Sequence, residues 1–251
     1  MDCLILHLSG PLQSWGTGAG RFRSRDTAAA PTKSALIGLI AACEGRPRGA
    51  NVADLAASVM ATRSDRPGIA IRDYHTTGAM GRHAKARLRT AEGKNRSHAI
   101  LTDRWYLADA AFTAALGGPP DLIASLHHSL TNPRFAPYLG RRCCLPDVGL
   151  VAGTLAGTTP WDALTEQVPL VQRANRRVRD QAGRASSDSI QVIGDDPSGS
   201  LTNVNDAVHG FLDRGYGRRP VRDEVVDLSH LPTVSDSIEL REFLEGAMTG
   251  A

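Results

Sequence analysis

The sequence predicts an α+β protein, and three observations carry that expectation. A short apolar run near the N-terminus reads as a buried strand, a capped apolar helix follows it, and a cation-rich stretch without apolar periodicity interrupts the strands after residue 74. The 251 residues suffice for one large domain or two small ones. With 41% apolar residues and a mean hydropathy of -0.22, a globular chain is expected. No apolar run nears the roughly 20 residues of a membrane span. The opening Met1-Asp2-Cys3 places no basic residue before the first apolar run, which is too short for a signal segment, so a cytoplasmic protein with no membrane partner is expected.

Residues 3–8 form a continuous apolar run closed by Ser9-Gly10-Pro11, the pattern of a buried strand. A glycine-rich stretch, 16–20, leads into Arg21, Phe22, Arg23, Ser24 and Arg25. Residues 31–43 start with Pro31 and stop near Gly45, which predicts a helix. Val52, Leu55, Ala56, Val59 and Met60 fall at helical spacing and predict a second helix before the turn Arg66-Pro67-Gly68. Residues 68–74 alternate as a strand. Residues 75–97 carry many cations and little to bury, and are expected to project as an arm. Residues 104–113 read as one strand with Tyr106, Ala108, Ala110 and Phe112 on one face. Residues 121–130 predict an amphipathic helix ended by Asn132-Pro133, and 148–155 one more strand. The order completes a βαββαβ core of ferredoxin-like (RRM-like) type with a long basic insertion. Beyond residue 157 the pattern weakens to a short helix at 161–164 and strands at 189–193 and 220–228. That gives a first domain over 1–156, with its insertion at 75–100, and a smaller β-containing domain over 157–251.

Net charge is only +3, but three lysines and 26 arginines supply the cations. Guanidinium forks pair bidentately with phosphate and stack on bases. From residue 80 to 104, Arg82, Lys85, Arg87, Arg89, Lys94, Arg96 and Arg104 face only Glu92 and Asp103, a balance of +5. A second basic cluster runs from Arg173 to Arg184, and residues 223–251 are acidic. This asymmetry points to a polyanion partner on one surface.

Catalytic and metal motifs are weak. Gly16-x-Gly18-x-Gly20 lacks the G-x-G-x-x-G spacing, and Thr32-Lys33-Ser34 lacks the P-loop frame. A helix start bearing Lys33 and Ser34 still suits a phosphate, and equally suits ordinary capping. The four cysteines form no C-x-x-C pair and no H-x-x-x-H exists, so no metal and no cofactor are expected. His75, His83 and His98, with Tyr74, Lys85 and Lys94, have the residue types for metal-independent RNA cleavage by acid–base chemistry, or are simply solvated histidines on the arm. Polyanion binding is the better supported reading: Arg21, Arg23, Arg25, Lys33 and the arm cations would line a phosphate track, with Trp15, Phe22 and Met80 against unpaired bases.

Leu8-Ser-Gly-Pro-Leu-Gln-Ser-Trp-Gly16, followed by Arg25-Asp26-Thr27 and by Pro31-Thr-Lys-Ser-Ala-Leu-Ile-Gly-Leu-Ile-Ala-Ala42, resembles the N-terminal signature of the CasD family. These are the RAMP-superfamily subunits of the CRISPR Cascade complex of subtype I-E. Further similarity runs through Asp65-Arg66-Pro67-Gly68, Tyr106-Leu-Ala-Asp-Ala-Ala-Phe112, Tyr138-Leu-Gly-Arg-Arg-Cys143 and Tyr216-Gly-Arg-Arg-Pro-Val221. The resemblance implies a ferredoxin-like domain with a thumb insertion, and a non-catalytic role in antiviral defense. The subunit would hold the 5′ handle of crRNA, with its thumb against the adjacent backbone subunit, alongside the large subunit and, indirectly, target DNA. In subtype I-C the equivalent subunit is an endoribonuclease; none of its catalytic residues is carried over. The expected RNA contacts are Gln13 and Trp15 near a base, Arg21, Arg23, Arg25, Lys33 and Ser34 on handle phosphates, Arg82, Lys85 and Arg87 on the arm, and Arg141.

Overall fold

The structure, a computed structural model, describes residues 1–16, 24–78, 93, 99–147, 149–171, 189–196, 202–210 and 215–249, with backbone alone at 202–210, 215, 216, 248 and 249. In chain order the elements are β1 (Asp2–Ser9), β2 (Leu12–Gln13), β3 (Ser24–Arg25), α1 (Lys33–Cys43), α2 (Ala53–Ala56), β4 (Val59–Arg66), β5 (Ile69–Thr77), β6 (Ile100–Ala108), β7 (Ala111–Gly118) and α3 (Pro120–Thr131). They continue with β8 (Val151–Leu155), α4 (Pro160–Asp162, running into one π turn, Ala163–Gln167), β9 (Leu170–Val171), β10 (Ser189–Asp195), β11 (Thr202–Gly210), β12 (Gly215–Asp227), β13 (Thr233–Val234) and α5 (Ser237–Thr249).

A seven-stranded sheet in the order β11-β12-β10-β4-β7-β1-β8 forms the centre, every neighbouring pair antiparallel. β1 lies inside it, and its continuous apolar run follows from burial on both faces. Leu4, Leu6 and Leu8 enter the core under α1 and α3, while Cys3 and Ile5 enter a second core on the opposite face with Leu164, Leu240 and Leu244. α1 is capped by Thr32, whose Oγ1 accepts from the Ala35 N–H at 3.4 Å. Pro31 therefore precedes the cap instead of opening the helix. Gly45, at φ 77°, ends it.

Two predicted elements differ. The second helix is a single turn, because Val59 and Met60 open β4, which pairs along β7 from Val59↔Gly117 onward. Tertiary pairing outweighs an apolar spacing that suits either element. The single strand predicted over 104–113 is two strands broken at Asp109, whose φ of 53° turns the chain from β6 into β7. That break moves the chain between sheets. β6 belongs to a second sheet, where β5 pairs with it from Ile69↔Ala108 to Thr77↔Ile100. Its other edge takes β2 antiparallel and β3 parallel.

Beyond residue 157 the chain adds to the central sheet through β10, which pairs with β4 at Val192↔Arg63, Ile193↔Thr62 and Gly194↔Ala61. β11, β9, β13 and α5 are elements the sequence pattern did not single out. α5 accounts for part of the acidic stretch: Leu240 and Leu244 are buried while Glu239, Glu242 and Glu245 are exposed.

Candidate nucleic-acid interface

The Leu8–Gly16 motif folds into a packed turn. Gln13 is fully buried, its Nε2 donating to the carbonyls of Leu8 at 2.9 Å and Ala110 at 2.8 Å. Its Oε1 accepts from Trp15 Nε1 at 3.0 Å, and the Trp15 ring lies entirely in the core. The Trp15 N–H donates to Thr27 Oγ1 at 2.8 Å, and Ser14 N–H to the Leu139 carbonyl at 3.0 Å. Gln13 and Trp15, expected near a base, thus fix the entry and exit of the loop that carries the arginines. Arg21, Phe22 and Arg23 lie outside the described residues, as do Met80, Arg82, Lys85, Arg87, His83 and His98 of the arm and the Arg173 to Arg184 cluster.

Arg25 is exposed at the end of that loop, where β3 pairs with β6 at Ser24↔Asp103 and Arg25↔Arg104. Arg141 clamps this junction. Its guanidinium donates to the carbonyls of Trp105 at 3.0 Å, Arg25 at 3.0 Å and Asp26 at 3.4 Å, and it stacks 4.5 Å from the Tyr106 ring centroid. Five N–H groups in a rigid fork suit this multi-carbonyl role. Arg25, Arg104 and Arg141 therefore meet at one strand junction, beside the ribbon that runs into the basic arm.

The helix-start pair lies elsewhere. Lys33 is largely buried, its Nζ donating to the Ser58 carbonyl at 2.6 Å and to Asp195 Oδ2 at 2.9 Å. Arg219 bonds the other oxygen of Asp195, and the Met60 N–H donates to Oδ2 at 2.9 Å. This ion network joins α1, β4, β10 and β12. Ser34 Oγ lies 3.3 Å from Thr32 Oγ1, within the cap. Sequence reasoning did not single out Asp195 or Arg219 as a pair; they stand 24 positions apart, the first just past a predicted strand and the second in a motif noted only for resemblance.

Of the groups suited to RNA cleavage, His75 Nδ1 lies 3.4 Å from Asp73 Oδ2. Tyr74, next to it in β5, points to the opposite face of the strand, so the two side chains do not converge on one phosphate. Among the described residues no group of three or more metal-ligating side chains comes together.

The family model that matches this chain, over residues 3–209, is described as CRISPR-associated protein (Cas_Cas5). A curated relative from Escherichia coli (strain K12), CRISPR system Cascade subunit CasD, is 38% identical over 176 residues, 66% of this chain and 77% of the relative. Among solved structures, a chain of a CRISPR RNA-guided surveillance complex superposes with TM-score 0.76 at 32% identity, covering 98% of this chain and 99% of that one. A second, a crystal structure of a Cas protein, gives TM-score 0.69 at 30% identity over 93% of this chain and 100% of that one.

Proposed function

Because the chain belongs to the Cas5 family of CRISPR-associated proteins, we propose that it is the Cascade subunit that binds and caps the 5′ handle of crRNA. It guides antiviral DNA targeting without cutting RNA itself. The observation that carries this reading is the junction of Arg25, Arg104 and Arg141 at the root of the β5–β6 ribbon, with Arg21 and Arg23 next to it in sequence and a local balance of +5 in the arm that follows. Cations clustered on one strand junction supply phosphate contacts, which dominate nucleic-acid affinity and make it salt-dependent.

In this reading Gln13, Trp15 and Arg141 hold the loop in shape, Arg21, Arg23 and Arg25 take handle phosphates, and Lys33 and Ser34 brace the helix start. Arg82, Lys85 and Arg87 extend the contact along the thumb, which meets the adjacent backbone subunit. The large subunit and target DNA complete the assembly, in the cytoplasm. The strand order β4-β7-β1-β8, with α1 and α3 as crossovers, supports the ferredoxin-like layout over residues 1–156. Residues 157–251 form the smaller appended part.

The test is affinity for a repeat-derived handle RNA across a salt series. Arg25→Ala is expected to weaken binding and lower the salt slope by about one. An unchanged slope removes Arg25 from the phosphate contacts. The same incubations in EDTA separate this role from the metal-independent endoribonuclease of the subtype I-C relatives, which would cleave the repeat.

A further inference from the structure

The geometry points to a base-stacking platform on the Trp105 and Tyr74 side of the β5–β6 ribbon, with unpaired bases of single-stranded RNA as its occupant. The inference rests on the RNA-binding reading above and names the side chains that meet bases instead of phosphates.

The register places Arg72 opposite Trp105, Tyr74 opposite Asp103 and Thr76 opposite Leu101, so strand alternation puts all six on one side of the ribbon. On that side Tyr74 is 60% exposed, Leu101 45% and Trp105 36%. The other side carries Asp73, His75, Arg104 and Tyr106, with Arg141 stacked on the tyrosine ring. The exposed rings of Tyr74 and Trp105 thus share one side of the ribbon, while the other side carries the exposed Ile69 and Ile71 besides its polar groups.

Trp105 and Tyr74 are diagonal neighbours, roughly 7–8 Å apart, close enough for consecutive splayed bases to take a ring each. Two features select RNA over an apolar protein surface as the occupant. The Arg72 to Asp103 ion pair, at 2.9 Å, is laid between the two rings and stays half-exposed, and covering it with an apolar partner would cost its solvation. The ribbon also leads directly into the arm with its balance of +5, which concentrates a polyanion at this edge. Stacking needs only a π face, so the platform would hold bases irrespective of sequence.

The full-length chain is titrated with repeat-derived handle RNA and with an abasic RNA of the same length, at several salt concentrations. The wild type is expected to favour the base-bearing RNA. Replacing both rings, Trp105→Ala with Tyr74→Ala, should weaken base-bearing RNA by roughly thirtyfold or more, leave abasic RNA unchanged and keep the salt slope. The pair Trp105→Phe and Tyr74→Phe should restore the preference, which separates stacking from misfolding. Equal loss on both RNAs, or no loss in an alanine variant that melts like the wild type, would overturn the platform. Intact RNA binding with lost co-purification of neighbouring subunits would overturn it in favour of a protein interface. A wild type that binds neither RNA removes the RNA-binding reading itself, whereas wild-type binding without ring dependence removes only the platform.

Discussion

Arg141 shows how one side chain can prepare a surface without having to be the surface. Its fork ties three carbonyls on two segments far apart in sequence, and Arg141→Lys keeps the charge but cannot span them. We expect Arg141→Lys to bind handle RNA more weakly than wild type, nearly as weakly as Arg141→Ala; recovery by lysine would show that charge alone matters. Arg63 does comparable work in the second core. Fully buried, it pairs with Asp65 at 2.6 Å and donates to the carbonyls of Leu164, Val168 and Pro169. Arg63→Leu strands a buried carboxylate and should cost about 3–5 kcal/mol in denaturant unfolding. The cysteines divide by burial: Cys3 is pushed up to about 12 and Cys43 and Cys144 to about 11, in each case chiefly by burial, while Cys143 is exposed. One thiol, Cys143, should react quickly with a thiol reagent at pH 8 in the native state and four after unfolding. At this scale burial was the property least legible in the sequence. Gln13 and Trp15, expected near a base, are both buried, and a lone Gln and Trp carry no periodic signal that separates core from contact.

Among elements, β1 and α1 were legible because a doubly buried strand and a capped apolar helix leave strong local patterns. β4 was not, because Val59 and Met60 suit a helix or a strand and their partner β7 lies some 50 positions on. The break at Asp109 was hidden for a similar reason: only the passage between two sheets demands a left-handed residue there. Gly140, at φ 94°, is a second such position. A Cβ there would fall on the Ser14 carbonyl, so Gly140→Ala should loosen the Ser14 to Leu139 pairing and cost at least about 1–3 kcal/mol. β1 also carries His7, 3% exposed, whose Nδ1 has no hydrogen-bond partner among the described residues and whose pKa burial holds below 6.5. Below pH 6.5 the unfolded chain takes up this proton and the folded chain resists it. Stability therefore falls as pH drops from 6.5 toward the lower folded value. His7→Asn should flatten that slope in melting curves between pH 7 and 5; an unchanged slope would place the acid sensitivity elsewhere.

The whole molecule is organised by its continuous sheet. β10, from beyond residue 157, pairs with β4 and carries β12 and β11 in turn, and Asp195 on β10 joins Lys33 of α1 to Arg219 of β12. A fragment of residues 1–156 would expose the β4 edge and lose Leu164, Leu240 and Leu244 from the second core, and should aggregate where the full chain stays monodisperse. This continuity was invisible in the sequence, because antiparallel pairing across 130 positions leaves no local trace. The family resemblance was visible, since its motifs cluster in the turn, cap and junction segments that the packing constrains. The claim that unites these scales is handle recognition without cleavage. Binding of the purified chain to labelled handle RNA against a scrambled RNA, over a salt series in EDTA, tests it most directly. Handle-selective, salt-dependent binding with the RNA intact is the expected result; cleavage in EDTA, or equal affinity for both RNAs, would contradict it.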